Sequence, residues 1–254
     1  MEESKMTKTS AINRIHDLLD DNSFVEVGAY ITARSTDYNM QSQETPADGV
    51  VTGYGTINGA LVYVYSQDAS VMGGSIGEMH AEKIEKLYSM AMKMGAPIVG
   101  LVDCAGFRLQ ESMDALDGFG KLYVCQAMAS GVIPQIQAVF GNCGGGMAVA
   151  SEMADFTFME QDAKMFVNAP FVIAENDADN SSAEYQAKET GNVCATGSEK
   201  EIFTEIRNLV SILPANNEDD MSYSECEDDL NRICTEICVG DTALALAMIS
   251  DDSF

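Results

Sequence analysis

The sequence predicts an α/β fold, because short apolar strands, glycine turns and helices alternate along its central part. One apolar strand is predicted over residues 97–102, followed by a turn that contains Gly106 and by a helix over 118–130. A second strand over 134–140 runs into the glycine-rich stretch 141–146, and a further helix is predicted directly after it. In folds with this alternation, ligand-binding groups collect where strands end and helices begin. We therefore expect the functional residues in these glycine turns.

The composition is that of a globular protein with a strong acidic excess. The chain has 254 residues, of which 46 % are apolar and 21 % charged, enough to form a sizeable hydrophobic core. The 14 Lys and Arg residues are outnumbered by 40 Asp and Glu residues, so the net charge is −26. This charge disfavours binding to nucleic acids and to anionic membranes. The sequence shows no leader peptide and no apolar run of the roughly 20 residues that a membrane span needs, so we expect a cytoplasmic protein.

Local patterns define the elements around this central part. A β-hairpin is predicted over 49–66, since the dipeptide Asn58-Gly59 favours a tight turn between two alternating strands. A helix is predicted over 79–94. Ser198 and Glu201 have the spacing of a capping box, which marks the start of another helix.

The composition also divides the chain into three parts. Residues 1–9 are expected to form a flexible tail, and residues 10–215 a single α/β domain. The segment 216–254 is expected to hold an acidic linker followed by a helix over 230–249. The apolar residues of that helix have no obvious partner in the chain, so we expect the helix to dock on another polypeptide.

Cysteine and histidine side chains show no pattern typical of a metal site. The seven cysteines are scattered without a C-x-x-C pair, which predicts free thiols and no metal. Cys143 has no histidine near it in sequence, so a buried thiol is expected there rather than a nucleophile. His16 and His80 are expected on helix surfaces.

Glycine turns without a standard phosphate-loop motif suggest binding of an oxygen atom by main-chain N–H groups. Gly144, Gly145 and Gly146 lie between a predicted strand and a helix, where the helix dipole adds positive potential. An oxyanion hole needs two such donors from separate segments, and Gly73 with Gly74 offers a second loop. A tight strand–helix packing turn would explain the same glycines, and the sequence leaves both readings open.

Basic residues are concentrated close to these turns. Five of the 14 lie between residues 83 and 121, and they are Lys83, Lys86, Lys93, Arg108 and Lys121. In a chain of this charge, Lys83, Lys86 and Arg108 are candidates to bind the phosphates of a ligand. A solvated helix face, with pairs such as Glu82–Lys86, is the alternative.

These residues together resemble the N-terminal half of the carboxyltransferase subunits of biotin-dependent acyl-CoA carboxylases and decarboxylases. The resemblance extends over most of the chain, through the segments Arg14–Glu26, Asp48–Gly55, Ser66–Ser75, Gly131–Gln135 and Cys143–Ala148. It implies a crotonase-like fold, in which repeated β-β-α units wind into a superhelix and acyl-CoA lies in a cleft. The thioester oxygen would bind main-chain donors of the turn Gly144–Gly146 and of a second loop.

The resemblance also implies a cofactor and partners. Carbon dioxide would be exchanged between acyl-CoA and biotin on a separate carrier protein, with an enolate as intermediate. A C-terminal-half carboxyltransferase subunit would be needed, and biotin carboxylase or membrane decarboxylase subunits are further candidates for a hetero-oligomer that also self-associates.

The chain departs from the family where the acyl group is expected. The family usually has Asp-Ser-Gly-Gly-Ala-Arg where this sequence has Asp-Cys-Ala-Gly-Phe-Arg over 103–108, so Ala105, Gly106 and Phe107 are expected to shape the acyl pocket. Two other functions stay open. One is a stand-alone crotonase-type hydratase, isomerase or thioesterase that uses Glu78 or Glu111, and the other is a non-catalytic acyl-CoA-binding subunit.

Overall fold

A mixed β-sheet with helices on both faces forms the larger of two compact units, Met1–Asp220 and Met221–Phe254. The computed structural model describes residues 10–34, 43–169, 180–219, 240 and 242–249. Within these residues the strands are β1 (Val25–Val27), β2 (Val50–Ile57), β3 (Ala60–Gln67), β4 (Ile98–Cys104), β5 (Gln135–Gly144), β6 (Phe156–Glu160), β7 (Lys164–Phe166) and β8 (Ala195–Gly197). The helices are α1 (Ala11–Leu18), α2 (Glu78–Met94), α3 (Ser112–Ala129), α4 (Gly146–Glu152), α5 (Ala183–Tyr185), α6 (Glu199–Ile212) and α7 (Thr242–Ile249).

The sheet order is β1-β2-β3-β4-β5-β6-β8, and β7 pairs with the end of β5. The pairs β1–β2 and β2–β3 are antiparallel, whereas every pair from β3–β4 to β6–β8 is parallel. The α/β prediction is therefore confirmed, and so is the hairpin, since β2 and β3 join through Asn58 and Gly59. Both turn residues have positive φ, which a tight turn between twisted strands favours.

Strand β4 separates two hydrophobic cores, because its side chains alternate between the two faces of the sheet. Ile98 and Val102 face the core beneath α2, α3 and α4. Val99 and Leu101 face the core beneath α1 and α6. Both faces of the parallel strands are thus covered, and their carboxyl ends remain as the place where loops can form a site.

Helix α3 begins at Ser112 rather than at the predicted 118. The reason is Gly118, which the sequence suggests as a helix start but which the structure uses as a packing position. A Cβ on Gly118 would lie only 2.8 Å from the Cβ of Ala81, so this glycine allows α2 and α3 to approach closely.

The second unit is described only in part. Residues 242–249 form α7, within the predicted helix 230–249, whereas residues 230–239 and the predicted tail 1–9 lie outside the described residues. Among the helices that the structure describes, none is long and apolar enough to cross a membrane.

Candidate active site

Three glycine-containing loops meet at the carboxyl ends of β3, β4 and β5, as the sequence predicts. The N–H of Ala105 donates to the carbonyl of Gly73 at 2.9 Å. A Cβ on Gly74 would lie 2.1 Å from a backbone oxygen of β4, and one on Gly106 would lie 2.9 Å from the oxygen of Gly144. The main chains of the three loops are therefore in direct contact, and side chains at these glycines would force them apart.

The hydrogen bonds within the turn after β5 show which N–H groups are available to a ligand. The N–H of Gly145 donates to the carbonyl of Phe166 at 2.9 Å, so Gly145 is not the donor that the sequence suggests. Gly145 instead shapes the turn with φ +59° and ψ −127°. The next two N–H groups, of Gly146 and Met147, lie in the first turn of α4, where the helix offers no acceptor. They are the candidate donors of this loop.

A second donor follows from the hydrogen bonds of the neighbouring loop. The N–H of Ile76 donates to the carbonyl of Gly106 at 2.8 Å, and the N–H of Arg108 donates to the carbonyl of Ile76 at 3.0 Å. In such a parallel bridge the N–H of the intervening Phe107 points away from Ile76. The N–H of Gly106 is bound to the Cys104 thiol at 3.2 Å. Phe107 is thus the main-chain donor left in this loop.

Helix α3 supports the start of α4 from behind. The hydroxyl of Tyr123 donates to the carbonyl of Gly146 at 2.8 Å. A Cβ on Gly146 would lie 2.7 Å from that hydroxyl and 2.9 Å from the ring of Phe119. Burial raises the pKa of Tyr123, so the hydroxyl keeps its proton for this bond. The sequence analysis missed Tyr123, since its contact with Gly146 joins residues 23 positions apart.

Arg108 lies at the centre of a buried ionic network and does not reach solvent. Its guanidinium is 0 % exposed and contacts Asp48 at 2.5 Å and Glu111 at 2.8 Å. It also donates to the backbone oxygen of Ser75 at 2.7 Å. The expectation that Arg108 binds phosphates is therefore corrected. The arginine fixes the loop that follows Gly74 and the segment that precedes α3.

The carboxylates proposed for acid–base chemistry are also engaged. Glu111 binds Arg108 and accepts the N–H of Glu78 at 2.6 Å, which caps the first turn of α2. Glu78 forms an ion pair with Arg34 at 2.7 Å. Both side chains therefore stabilise the surroundings of α2.

His80 is buried rather than on a helix surface, which corrects the prediction, whereas His16 is exposed as expected. The Nδ1 of His80 lies 2.9 Å from the carbonyl oxygen of Asp48, and the Nε2 of His80 lies 3.1 Å from the side-chain nitrogen of Gln67. These neighbours fit a neutral ring with its proton on Nδ1. Desolvation, reinforced by the nearby Arg108, lowers the pKa of His80 to about 3.

The lysines of α2 differ in their surroundings. Lys83 is buried and donates to the carbonyls of Ala47 and Val50, so it is a structural residue and not the expected phosphate ligand. Burial lowers its pKa to about 8. Lys86 is exposed and lines a mainly apolar cavity of about 110 Å³ beside α2. It remains a candidate for phosphate binding, whereas Lys121 pairs with Asp117 at 3.1 Å.

The thiols beneath the turns are buried, as predicted for Cys143. Cys143 contacts the hydroxyl of Ser151 at 3.3 Å, and Cys104 lies opposite it on the neighbouring strand. Burial raises the pKa of both thiols, so neither is a nucleophile at neutral pH. All four cysteines in the described part of the chain, including Cys125 and Cys194, are free. Within the part of the chain that the structure describes, no cluster of three or more His, Cys, Asp or Glu side chains is suited to a metal ion.

Comparison with known proteins defines the class. The chain matches the carboxyl transferase domain family over residues 2–242 and belongs to that family. It is 43 % identical to the propionyl-CoA carboxylase beta chain of Roseobacter denitrificans and 42 % identical to the methylmalonyl-CoA decarboxylase subunit alpha of Veillonella parvula. Each match covers 89 % of this chain and 46 % of the relative, so the chain spans about half the length of these proteins.

A solved structure confirms the fold. Transcarboxylase 12S, described with methylmalonyl-coenzyme A bound, superposes with a TM-score of 0.84 at 37 % identity. The match covers 87 % of this chain and 45 % of that one. The predicted crotonase-like α/β fold is therefore confirmed.

Proposed function

We propose that this chain is the acyl-CoA-binding half of a biotin-dependent carboxyltransferase. The observation that supports this most directly is the pair of main-chain donors, Phe107 and Gly146, on loops that touch at the ends of β4 and β5. Its relatives include proteins named for propionyl-CoA and methylmalonyl-CoA, so short acyl-CoA thioesters of this kind are the proposed substrates.

The two donors would bind the thioester oxygen of acyl-CoA. When a carboxyl group leaves or joins the carbon beside the thioester, negative charge develops on that oxygen. Hydrogen bonds that strengthen with this charge stabilise the transition state, by roughly 3–4 kcal/mol for each donor in acyl chemistry. The N-terminus of α4 adds positive potential at the same place. Gly145 and Tyr123 hold the turn in the conformation that presents the Gly146 N–H.

A carboxylate acting as general acid or base is not part of the proposal. Glu78 and Glu111 bind Arg34 and Arg108 and are not free for proton transfer. This disfavours a stand-alone hydratase or isomerase, which would need such a carboxylate. Biotin on a carrier protein would supply or accept the carboxyl group, and the residues of this chain would bind the thioester and stabilise its enolate.

The remaining parts of the proposal concern phosphates and partners. Lys86 is exposed on α2 and is the proposed contact for the phosphates of coenzyme A.

Because the chain spans about half of its relatives, a C-terminal-half carboxyltransferase subunit is the proposed partner. That subunit would bind the biotin carrier protein, and biotin carboxylase or membrane decarboxylase subunits would complete the assembly.

The test is carboxyl exchange in the assembly that this chain forms in its source cells. A complex isolated through a tag on this chain should move a labelled carboxyl group between methylmalonyl-CoA and biotin. It should not hydrate enoyl-CoA. Hydration of enoyl-CoA without carboxyl exchange would support the stand-alone crotonase-type enzyme instead. Binding of acyl-CoA without either reaction would support a non-catalytic subunit.

A further inference from the structure

Strand β5 carries more residues than β4 at the point where both strands approach the candidate site. The ladder pairs Val102 with Val139, and the next pair is Cys104 with Cys143. One residue of β4, Asp103, therefore lies opposite a stretch of three residues on β5. Where extra residues interrupt a ladder in this way, main-chain groups lose their strand partners and need another group to bind them.

The carboxylate of Asp103 fills this irregularity. Its Oδ1 accepts the N–H of Asn142, the last of the three residues on β5, at 3.2 Å. A Cβ on Gly141 would overlap with both carboxylate oxygens, so only a glycine leaves room for Asp103 at this place. The residue is 2 % exposed. Asp103 thus acts as a clamp between β4 and β5 inside the protein.

An ion pair holds the carboxylate of Asp103 in place. The guanidinium of Arg14 on α1 lies 3.7 Å from the Oδ2 of Asp103, and both side chains are 3 % exposed. Arg14 also pairs with Glu199 of α6 at 3.5 Å and lies over the ring of Phe140 at 4.9 Å. A buried carboxylate persists where its charge is paired and its oxygens are hydrogen-bonded. Because each oxygen has its own partner, the carboxylate has little freedom to rotate.

The clamp lies at an equal distance along the chain from the two proposed donors. Phe107 follows Asp103 by four residues, and Gly146 follows Asn142 by four residues. Between the clamp and the donors the two loops touch through their backbones, since a Cβ on Gly144 would lie 2.8 Å from a backbone oxygen of the loop after β4. Backbone contacts of this kind yield little. The separation of β4 and β5 at the clamp therefore determines the separation of the two N–H groups.

We propose that Asp103 is a positioning residue for carboxyl transfer, because its clamp between β4 and β5 sets the separation of the Phe107 and Gly146 N–H groups. The inference rests on the proposed function, which assigns these two N–H groups to the thioester oxygen, and it adds the residue that spaces them. Stabilisation of one oxygen by two donors depends on both distances, so a shift of the order of 1 Å between the loops weakens one of the bonds. Because it is buried, Asp103 acts through the loops and not on the substrate.

Two variants of Asp103 separate its hydrogen bond from its presence in the core. Asp103→Ala removes the acceptor of the clamp, whereas Asp103→Asn keeps an oxygen that can accept the N–H of Asn142. Arg14 retains Glu199 as a counter-ion in both variants, so the fold should persist. In the assembly isolated through a tag on this chain, we expect Asp103→Ala to lower the turnover number for carboxyl transfer at least tenfold. Asp103→Asn should retain most of the wild-type turnover.

Ligand binding and infrared spectroscopy distinguish a positioning role from a structural one. Affinity for a CoA thioether, which has no thioester oxygen, should be the same in wild type and in both variants, because the two donors do not contribute to it. Hydrogen bonds to the thioester oxygen polarise the carbonyl and lower its stretching frequency. Propionyl-CoA labelled with carbon-13 at the thioester carbon should therefore show a lowered frequency when bound to the wild type. The shift should be smaller with Asp103→Ala and intact with Asp103→Asn.

Asp155→Ala is the matched control. Asp155 also accepts a main-chain N–H of β5, that of Gln135 at 2.8 Å, but it does so at the opposite end of the strand. Its loss should leave the carbonyl frequency and the turnover number at the wild-type level. Gly141→Ala replaces Asp103→Ala if that variant does not fold, since the added Cβ displaces the carboxylate without removing its charge. It should reproduce the smaller shift.

The outcomes separate this inference from the function on which it rests. Wild-type turnover and a wild-type carbonyl shift in folded Asp103→Ala, or equal losses in Asp103→Ala and Asp155→Ala, would overturn the positioning role and leave the proposed function intact. A carbonyl frequency of propionyl-CoA that does not change on binding to the wild type would refute the donor pair itself, and with it the proposed function.

Discussion

Gly145 determines the shape of the candidate oxyanion turn through its backbone conformation. Its φ of +59° and ψ of −127° are strained for any residue with a side chain, although a Cβ would meet no atom within 4 Å. Gly145→Val should therefore rotate the turn and displace the Gly146 N–H. We expect carboxyl transfer by the assembled enzyme to fall by roughly 10²-fold or more, the loss that follows removal of one oxyanion donor.

Gly131→Val provides the matched control for this change. Gly131 also has a positive φ and open space around it, but it lies in the loop between α3 and β5. Both variants place a side chain at positive φ, and each should be destabilised by about 1–3 kcal/mol, the cost of a sparsely populated backbone conformation. Wild-type turnover in a folded Gly145→Val enzyme would refute the role of the turn.

His80 should make stability depend on pH in the mildly acidic range. Its pKa is about 3 in the folded chain, against about 6.5 when unfolded, so between these values the unfolded state binds one more proton. The free energy of unfolding should therefore decrease as the pH falls from 6.5 towards 3, by about 1.4 kcal/mol per unit from this residue. Urea unfolding at pH 7, 6 and 5 measures the slope.

His80→Gln should reduce that slope even if it lowers stability at pH 7. An identical slope in wild type and His80→Gln would mean that the buried ring does not titrate as the structure implies.

For individual residues, the sequence predicts the positions of the glycine turns better than the roles of the charged side chains. Gly106 and Gly144–Gly146 are visible in the sequence as turns between strands and helices, and the structure brings these turns together, although the sequence leaves a packing role open. Arg108 and Lys83 were misassigned because their acceptors, on Asp48, Ala47 and Val50, lie 33–60 residues away. The N–H of Phe107 could be identified as a donor only from the hydrogen bonds of Ile76 with Gly106 and Arg108, which the sequence does not reveal.

Arg108 connects three elements, so its loss should affect the fold more than any surface charge. It joins the turn at Asp48, the segment at Ser75 and the start of α3 at Glu111. Arg108→Ala leaves two buried carboxylates without a counter-ion, and we expect unfolding free energy to drop by about 3–5 kcal/mol.

Urea unfolding of Arg34→Ala is the comparison. Arg34 also contacts two carboxylates, on Glu78 and Asp114, but its side chain is 55 % exposed. Such solvated pairs contribute about 1 kcal/mol or less. Equal losses for the two arginine variants would show that the buried network is not what holds the three elements together.

Elements with a local signal were predicted well. The hairpin at Asn58-Gly59 and the capping box of Ser198 and Glu201 are both confirmed, because each depends on residues within four positions. The start of α3 was missed because Gly118 has a tertiary reason, the contact with Ala81, that overrides its low helix propensity. Local sequence patterns therefore predict which turns and helices form, whereas tertiary contacts decide where a helix such as α3 begins.

For the molecule as a whole, the proposed function has two sides, one that binds the thioester and one that binds biotin. The main-chain donors proposed among the described residues, on Phe107 and Gly146, would bind one thioester oxygen. The ureido oxygen of biotin would need donors of its own while the carboxyl group moves. The matched relatives are about twice as long as this chain. We therefore assign the biotin side to the C-terminal-half subunit.

We expect the purified chain to bind acyl-CoA but to show no carboxyl transfer to free biotin or to a biotinyl protein. Activity should appear when the C-terminal-half subunit is added, because only then do two sets of donors face each other. Binding of an acyl-CoA thioether and transfer of a labelled carboxyl group are measured on the same sample, with mass spectrometry to verify that no partner has co-purified. Substantial turnover by the chain alone would mean that self-association builds the second site, and the two-subunit proposal would then be wrong.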